Sequence, residues 1–406
     1  IVIMALMGIA DAFKVFDEAY SRTRRFILAY SGGKDSTAVA ILLYRWVLER
    51  RPSDLEVIIL HNDTMSEIQP METWARRFMS DFTVKMEGLG VEVVREIATP
   101  EPIDTFYWRV FVRGYPASTF NFRWCVDLFK INPTRRVLAR YRDYILIVGS
   151  RDEESGARAK SMRARFGACM STGSCIGAYF TMNNDIPKAA PIRFWSTEEV
   201  WAFLKAQRDF DVTELINLYL FNGNMDTRYG CWHCTLARVQ QGLYLKPEYL
   251  YIEALRILYR AVSDIPEFRT PKSSGYSRLG PLNVIGRSII YNAIPIIEEG
   301  IKNIEKTTDS DSKFFYGLDE VRVGKVTLRK LFYKLPPEEA DKMIQKFDNT
   351  DRRIPISALK AAVRGLSGKL VDLILTRADS IIARNNPYRG VIMSNMAWIL
   401  DRMING

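Results

Sequence analysis

The sequence predicts an α/β fold: a doubly wound, mostly parallel sheet followed by a helical C-terminal part. Three observations predict it. Short apolar runs alternate with amphipathic stretches through roughly the first 150 residues. Small and polar residues follow those runs where a strand hands over to a helix. The last hundred or so residues show helical periodicity instead.

The elements follow in order. Phe26–Tyr30 is a short apolar run, the form of a strand buried on both faces. Residues 37–50 place Ala38, Ile41, Leu42 and Trp46 at helical spacing. Leu55–Leu60 reads as a second strand, 69–89 as a long helix, Val91–Ile97 as a third strand, and Tyr144–Gly149 as another buried strand. Toward the C-terminus, amphipathic helices are expected near Leu328–Lys334, Pro337–Phe347, Ile356–Val363 and Leu370–Arg384. The stretch Arg269–Tyr291 carries four cations and no acid, with Pro and Gly at its turns, and reads as loop or linker. The expected organisation is a 1–245 nucleotide-binding domain, a basic 246–300 linker region and a basic 301–406 helical domain.

Composition narrows the chemistry. The chain of 406 residues has 57 Lys+Arg against 47 Asp+Glu, a net charge of +10 that suits a polyanionic partner. Residues 301–406 supply 19 of those cations against 13 acids, and neither Cys nor His. His61 and His233 are the only histidines, too few for a histidine-rich metal cage, and no HExxH or GxSxG motif occurs. No apolar run reaches the ~18–20 residues of a membrane span. The N-terminal residues lack the basic flank of a secretory leader. Five cysteines are too sparse for a disulfide scaffold. A cytoplasmic, reducing location is expected, with no membrane.

In doubly wound sheets, ligands sit at the carboxyl ends of the strands. After the first strand stands Ser31-Gly32-Gly33-Lys34-Asp35-Ser36, then Thr37. The glycines permit a tight turn and close approach of an anion. The helix N-terminus aims free N–H groups at it, and Lys34 adds charge. Its spacing differs from the GxxxxGK[ST] loop. A strand–helix turn without a ligand remains the plain alternative. After the second strand stands His61-Asn-Asp63-Thr64, where Asp63 could also cap a helix. After the Tyr144 strand stands Gly149-Ser-Arg151, running on to Arg158. Arg151 and Arg158 could fork onto phosphate oxygens or sit in a salt-bridged surface helix.

Cys231-Trp-His-Cys234 is a CxxC that fits zinc, an iron–sulfur cluster or a redox dithiol. Cys125 precedes it, and Cys169 and Cys175 lie between. Residues 105–142 hold eight Lys/Arg, one acid and ten aromatics. Cations can track a phosphate backbone and rings can stack on bases, although most of these rings are expected in the core.

The SGGKDS block resembles the PP-loop of ATP pyrophosphatases, an adenine nucleotide alpha-hydrolase-like fold. Gly149 to Arg158 resembles the phosphoadenosine-phosphosulfate (PAPS) reductase-like branch. Arg113–Cys125, Lys130–Pro133, Pro191–Trp201 and Arg228–Thr235 together resemble the DNA phosphorothioation ATPase (DndC) family. The resemblance implies ATP and Mg²⁺ bound by Ser31, Gly32, Gly33, Lys34, Asp35, Ser36, Thr37, Asp63, Gly149, Arg151 and Arg158. Lys34, Asp35 and Arg151 would be the catalytic groups. It also implies a [4Fe–4S] cluster on Cys125, Cys231 and Cys234. No Cys stands in Asn222–Thr227, so the fourth position falls to Cys169 or Cys175, or stays open. Zn²⁺ is the other metal that suits these thiols. The implied reaction is sulfur transfer to DNA, with tRNA base thiolation or PAPS reduction as alternatives. A cysteine desulfurase or another sulfur donor would be the partner.

Overall fold

The computed structural model describes residues 2–154, 156–166, 175–181, 186–220, 229–271, 279–305, 315, 317–350 and 353–405. It has two compact units. The first holds Ile1–Asp63, Gln69–Ala98 and Pro133–Thr227; the second holds Thr64–Ile68, Thr99–Asn132 and Arg228–Gly406.

The first unit is the doubly wound sheet. Strands β1 (Arg25–Tyr30), β2 (Glu56–Asn62), β3 (Glu92–Ala98), β4 (Tyr144–Ile147) and β5 (Lys188–Ala189) stand in the order β3-β2-β1-β4-β5. All four pairings are parallel. The central strands are continuous apolar runs because helices cover both faces: Phe26, Ile27 and Leu28 are fully buried, as are Val57, Ile58 and Ile59. Helix α1 (Val2–Arg22), which the apolar alternation did not single out, precedes the sheet. Helix α2 (Lys34–Arg50) follows β1 and buries Ala38 through Leu43. Helix α3 (Gln69–Glu87) follows β2. Register sets Tyr30 beside His61 and Leu28 beside Ile147. The residues after β1, β2 and β4 therefore leave the sheet at one edge.

The second unit is mostly helical. Helix Leu250–Asp264 is buried along most of its length and packs against helices Val284–Glu305, Gly368–Ile381 and Arg389–Asn405. Trp108, Trp232, Phe111 and Phe332 fill the same core. The expected C-terminal helices are found at Pro337–Phe347, Ile356–Ala362 and Gly368–Ile381.

Arg269–Tyr291 differs from the loop expected of it. Arg269–Pro271 and Leu279–Leu282 form a two-stranded antiparallel pair, and the long helix begins at Val284. The apolar residues there decide the outcome: Leu282, Ile289, Ile290 and Tyr291 are buried in the core. Part of its charge is absorbed too. Arg287 is buried and donates to the carbonyls of Leu282 and Val112. Gly114, at φ +70°, leaves the room that guanidinium needs, since a Cβ would stand 2.4 Å from Arg287 Nε.

Candidate functional site

The first site forms where β1 gives way to α2. Ser31 and Ser36 face each other across the turn with hydroxyls 3.1 Å apart, and Ser36 Oγ donates to the Gly33 carbonyl at 3.0 Å. Gly32 sits at φ +78°, and a Cβ there would lie 2.8 Å from the Ala75 Cβ, so glycine is required. Trp74 Nε1 fixes the Gly32 carbonyl at 2.9 Å. Gly33 caps α2 without a side-chain hydrogen bond. The first turn of the helix thus keeps the anion-receiving character of an open N-terminus.

Lys34 is buried; its ammonium meets the Asp35 carboxylate at 3.2 Å and stands 5.8 Å from the centre of the Tyr219 ring. Asp35 is the hinge of a larger network. Arg151 Nε donates to Asp35 Oδ1 at 2.7 Å. The other guanidinium nitrogens reach Glu153 Oε2, the Trp195 carbonyl and Thr197 Oγ1 at 3.0–3.1 Å. Arg151 is 1% exposed. Its fork is engaged by protein groups, Asp35 of the turn among them. The resemblance implied a clamp on phosphate at this position. Gly149 lies against the same turn: a Cβ would stand 3.0 Å from the Asp35 carbonyl carbon and the Ser36 nitrogen. Arg158 lies on helix Gly156–Phe166, with its side chain outside the described residues.

At the end of β2, Asp63 is buried and accepts from Arg76 Nη2 at 2.6 Å. The next helix begins only at Gln69, so Asp63 is not its cap. Arg76 Nε also holds Glu72 at 2.6 Å, and Glu72 meets His61 Nε2 at 2.9 Å. His61 Nδ1 faces the Tyr30 carbonyl at 3.0 Å, which can only accept. The two ring nitrogens thus tie His61 to the end of β1 and to Glu72. Burial pushes the Glu72 carboxyl up, but the hydrogen bond from His61 and the charges of His61 and Arg76 outweigh it and hold it below the usual range. Glu72 and Arg76 carry no motif and were not singled out from sequence; only the fold brings them under Asp63.

The second site lies wholly in the second unit. Cys125 accepts from Ser118 Oγ at 3.2 Å, and Cys231 Sγ lies 3.3 Å from Thr64 Oγ1. Both thiols, and Cys234, are free. Burial pushes the Cys125 thiol up against the opposing Ser118 hydrogen bond, and pushes Cys231 up far more, with Glu67 adding to it. Lys130, on the same segment as Cys125, is exposed. Desolvation lowers it, but Cys231, Glu67, Cys234 and Cys125 together hold it above the usual lysine range. The three cysteines thus share one electrostatic neighbourhood.

The loop that carries Cys231 and Cys234 is held from below. Gln240 Nε2 donates to the Cys231 carbonyl at 2.9 Å. Arg256, 1% exposed, donates to the Cys234 and Ala237 carbonyls at 3.0 and 2.9 Å while paired to Glu253 at 2.6 Å. Burial lowers the His233 imidazole to about 3, so it is neutral, stacked on Phe106 at 4.4 Å. Its Nε2 and the Gln240 Oε1 are buried without a partner.

Three thiols and orphaned polar atoms suit a thiophilic metal or cluster by donor chemistry. Among the described residues, however, no three His, Cys, Asp or Glu side chains stand in a metal-holding array. As placed, the donors do not complete a metal site. Cys175 belongs to the first unit and is disulfide-bonded. Cys169 and Asn222–Thr227 lie outside the described residues.

The basic, aromatic 105–142 segment divides. Tyr107, Trp108 and Trp124 are core. Arg109 is buried with Asp104, Arg113 is paired to the Asp348 carboxylate, and Arg140 to Glu96. Among the described residues no helix is long and apolar enough to cross a membrane.

Comparison with known proteins adds three findings. The family model of the phosphoadenosine phosphosulfate reductase domain matches residues 25–237. An uncharacterized protein of Methanocaldococcus jannaschii is 25% identical over 236 residues, 58% of this chain and 47% of that protein. The chain thus spans about half the length of that curated relative. The crystal structure of PAPS reductase from Candida auris, a phosphate complex, covers 55% of this chain and 90% of its own at 13% identity and a TM-score of 0.37. The family match supports sulfur-related chemistry on an adenine nucleotide. By that match over more than half its length, and with the parallel sheet to carry it, the chain belongs to the phosphoadenosine phosphosulfate reductase domain family.

Proposed function

We propose that this protein is an ATP-dependent sulfurtransferase acting on nucleic acid, most closely a DNA backbone phosphorothioation enzyme. One observation carries the reading. Lys34 and Asp35 open α2 at the carboxyl end of β1, and the turn is braced by Gly32, Gly149 and the buried Arg151. That architecture suits a triphosphate, with N–H groups and an ammonium converging on developing negative charge.

In this reading a nonbridging phosphate oxygen of DNA attacks the α-phosphorus of ATP. Pyrophosphate leaves, and the oxygen becomes part of an adenylate. A thiol reductant releases hydrosulfide from the persulfide of a donor such as a cysteine desulfurase and is itself oxidised to a disulfide; the hydrosulfide then attacks the DNA phosphorus, and AMP departs with the oxygen. Lys34 stabilises charge on the leaving pyrophosphate. Asp35 and the nucleotide's own phosphates would share Mg²⁺. The [4Fe–4S] cluster or Zn²⁺ expected on Cys125, Cys231 and Cys234 stays outside this scheme, because those thiols do not stand in a metal-holding array among the described residues. Isotope exchange between ATP and pyrophosphate tests the first half: Lys34→Ala should abolish it, and unchanged exchange would sink the scheme. Mass spectrometry of digested nucleic acid separates phosphorothioate dinucleotides from thiolated tRNA nucleosides.

A second reading, reduction of PAPS or its desphospho analogue, is favoured by the family match itself. It needs a thiolate that attacks the sulfate sulfur. Burial pushes the Cys125 and Cys231 thiols up, away from the thiolate form, and that weighs toward the transferase. PAPS-dependent sulfite release that is lost with Cys234→Ser would reverse the order.

A further inference from the structure

Between the buried Ala117 and the core ring of Trp124 the chain makes a tight turn. Thr119 and Phe122 exchange two backbone hydrogen bonds of 3.2 and 3.0 Å. The turn is rigid at its base and holds two aromatic rings out in water: Phe120 is 71% exposed and Phe122 47%. Burying such rings is worth far more than leaving them wet, and here nothing in their own unit covers them. Arg123 places its guanidinium 5.2 Å from the centre of the Phe120 ring, and Tyr115 backs Phe122 at 6.2 Å. Within three residues of Phe122, the same segment delivers Cys125 to the thiol site.

We infer that the Thr119–Arg123 turn is a base-stacking platform for single-stranded nucleic acid beside the thiol site. The inference rests on the nucleic-acid reading above and names where the substrate is gripped. Three features favour bases over an apolar protein surface. Thr119, Asn121 and Arg123, which interleave with the rings, are all exposed and polar, so the turn itself presents no continuous apolar run for a protein to cover. The cation stacked at Phe120 supplies attraction for a neighbouring phosphate, in a chain of net charge +10. Two rings on a rigid turn offer faces that any base can stack on without pairing.

The test uses the full-length protein and a fluorescein-labelled single-stranded DNA of about 20 nucleotides, long enough to span a stacking platform and a flanking basic surface, with the same sequence as duplex. Fluorescence anisotropy should show single strands bound more tightly than duplex. Phe120→Ala and Phe122→Ala should each weaken single-strand binding by about 5-fold or more, since stacking is worth ~1–3 kcal/mol per base. Phe120→Leu keeps the apolar area and should lose nearly as much as Phe120→Ala. Arg123→Gln should flatten the salt dependence. Affinity unchanged in the Phe120→Ala/Phe122→Ala double variant, with its thermal melt unchanged, overturns the proposal; so does full rescue by Leu, which would mark the rings as an apolar docking point for protein. ATP–pyrophosphate exchange on the same preparations reads the other site independently. Lost exchange in the wild type with ring-dependent DNA binding sinks the ATP reading alone. Intact exchange with ring-independent binding sinks this platform alone.

Discussion

Arg151 Nε donates to Asp35 Oδ1 at 2.7 Å, from a guanidinium that is itself fully enclosed. A buried arginine with donors engaged on two carboxylates, a hydroxyl and a carbonyl is a strut. It fixes the carboxylate that in turn faces Lys34. Arg151→Ala should cost about 1–3 kcal/mol, because the half-buried Asp35 carboxylate and the Trp195 carbonyl would lose their charged donor while Glu153 is largely solvated. Arg151→Lys should recover little of it, since an ammonium cannot span the same partners. Urea denaturation measures both, and ATP titration calorimetry should show weaker binding for each.

Gly149 meets the backbone of the phosphate-facing turn. Gly149→Ala should push that turn outward at a cost of about 1–3 kcal/mol. ATP affinity should fall while the DNA affinity of the Phe120 turn stays constant. Gly32→Ala, with its positive φ and the Ala75 clash, should be the more damaging of the two. Equal stability of the Gly32→Ala protein and wild type would contradict the geometry.

Glu72 links pH to stability. Its folded carboxyl is held below the unfolded value near 4.5, so the stabilisation is present above that pH and is lost as pH falls through the depressed folded value. Glu72→Gln should be destabilised relative to wild type at pH 7. The gap should narrow steadily below about pH 4.5. Unfolding free energies measured from pH 3 to 8 would show the convergence; parallel curves would refute it.

Arg256 supports the cysteine loop without touching a thiol. Arg256→Met should free the Cys234 and Ala237 carbonyls and leave Glu253 buried and unpaired, costing about 3–5 kcal/mol. Iodoacetamide labelling of Cys234 should accelerate in that variant. In the wild type, Cys231 should label far more slowly than a free thiol at pH 8, because burial holds it protonated.

The sheet was legible because buried parallel strands leave long apolar runs, and Phe26–Tyr30, Leu55–Leu60 and Tyr144–Gly149 are such runs. The cradle was legible because Ser31 to Thr37 is contiguous. What stayed hidden depends on partners distant in sequence. Arg113 looked like a free cation until Asp348 closed on it, and Arg109 until Asp104 did. Arg269–Tyr291 looked like a connector because Pro, Gly and charge dominate its composition. Its few apolar residues carry the packing instead. Arg256, Glu253, Glu72 and Arg76 bear no motif, since a support needs only the right place in space.

The division of the chain also sets an order of events during synthesis. Cys125 and Cys231 serve one unit, yet they are 106 positions apart with much of the other unit encoded between them. At ~5–20 residues per second, Cys125 leaves the ribosome roughly 5–20 s before Cys231 exists. Through that interval the Cys125 thiol stands without the two thiols that share its surroundings in the folded unit. The nascent chain therefore carries for some seconds a single thiol where the finished protein gathers three.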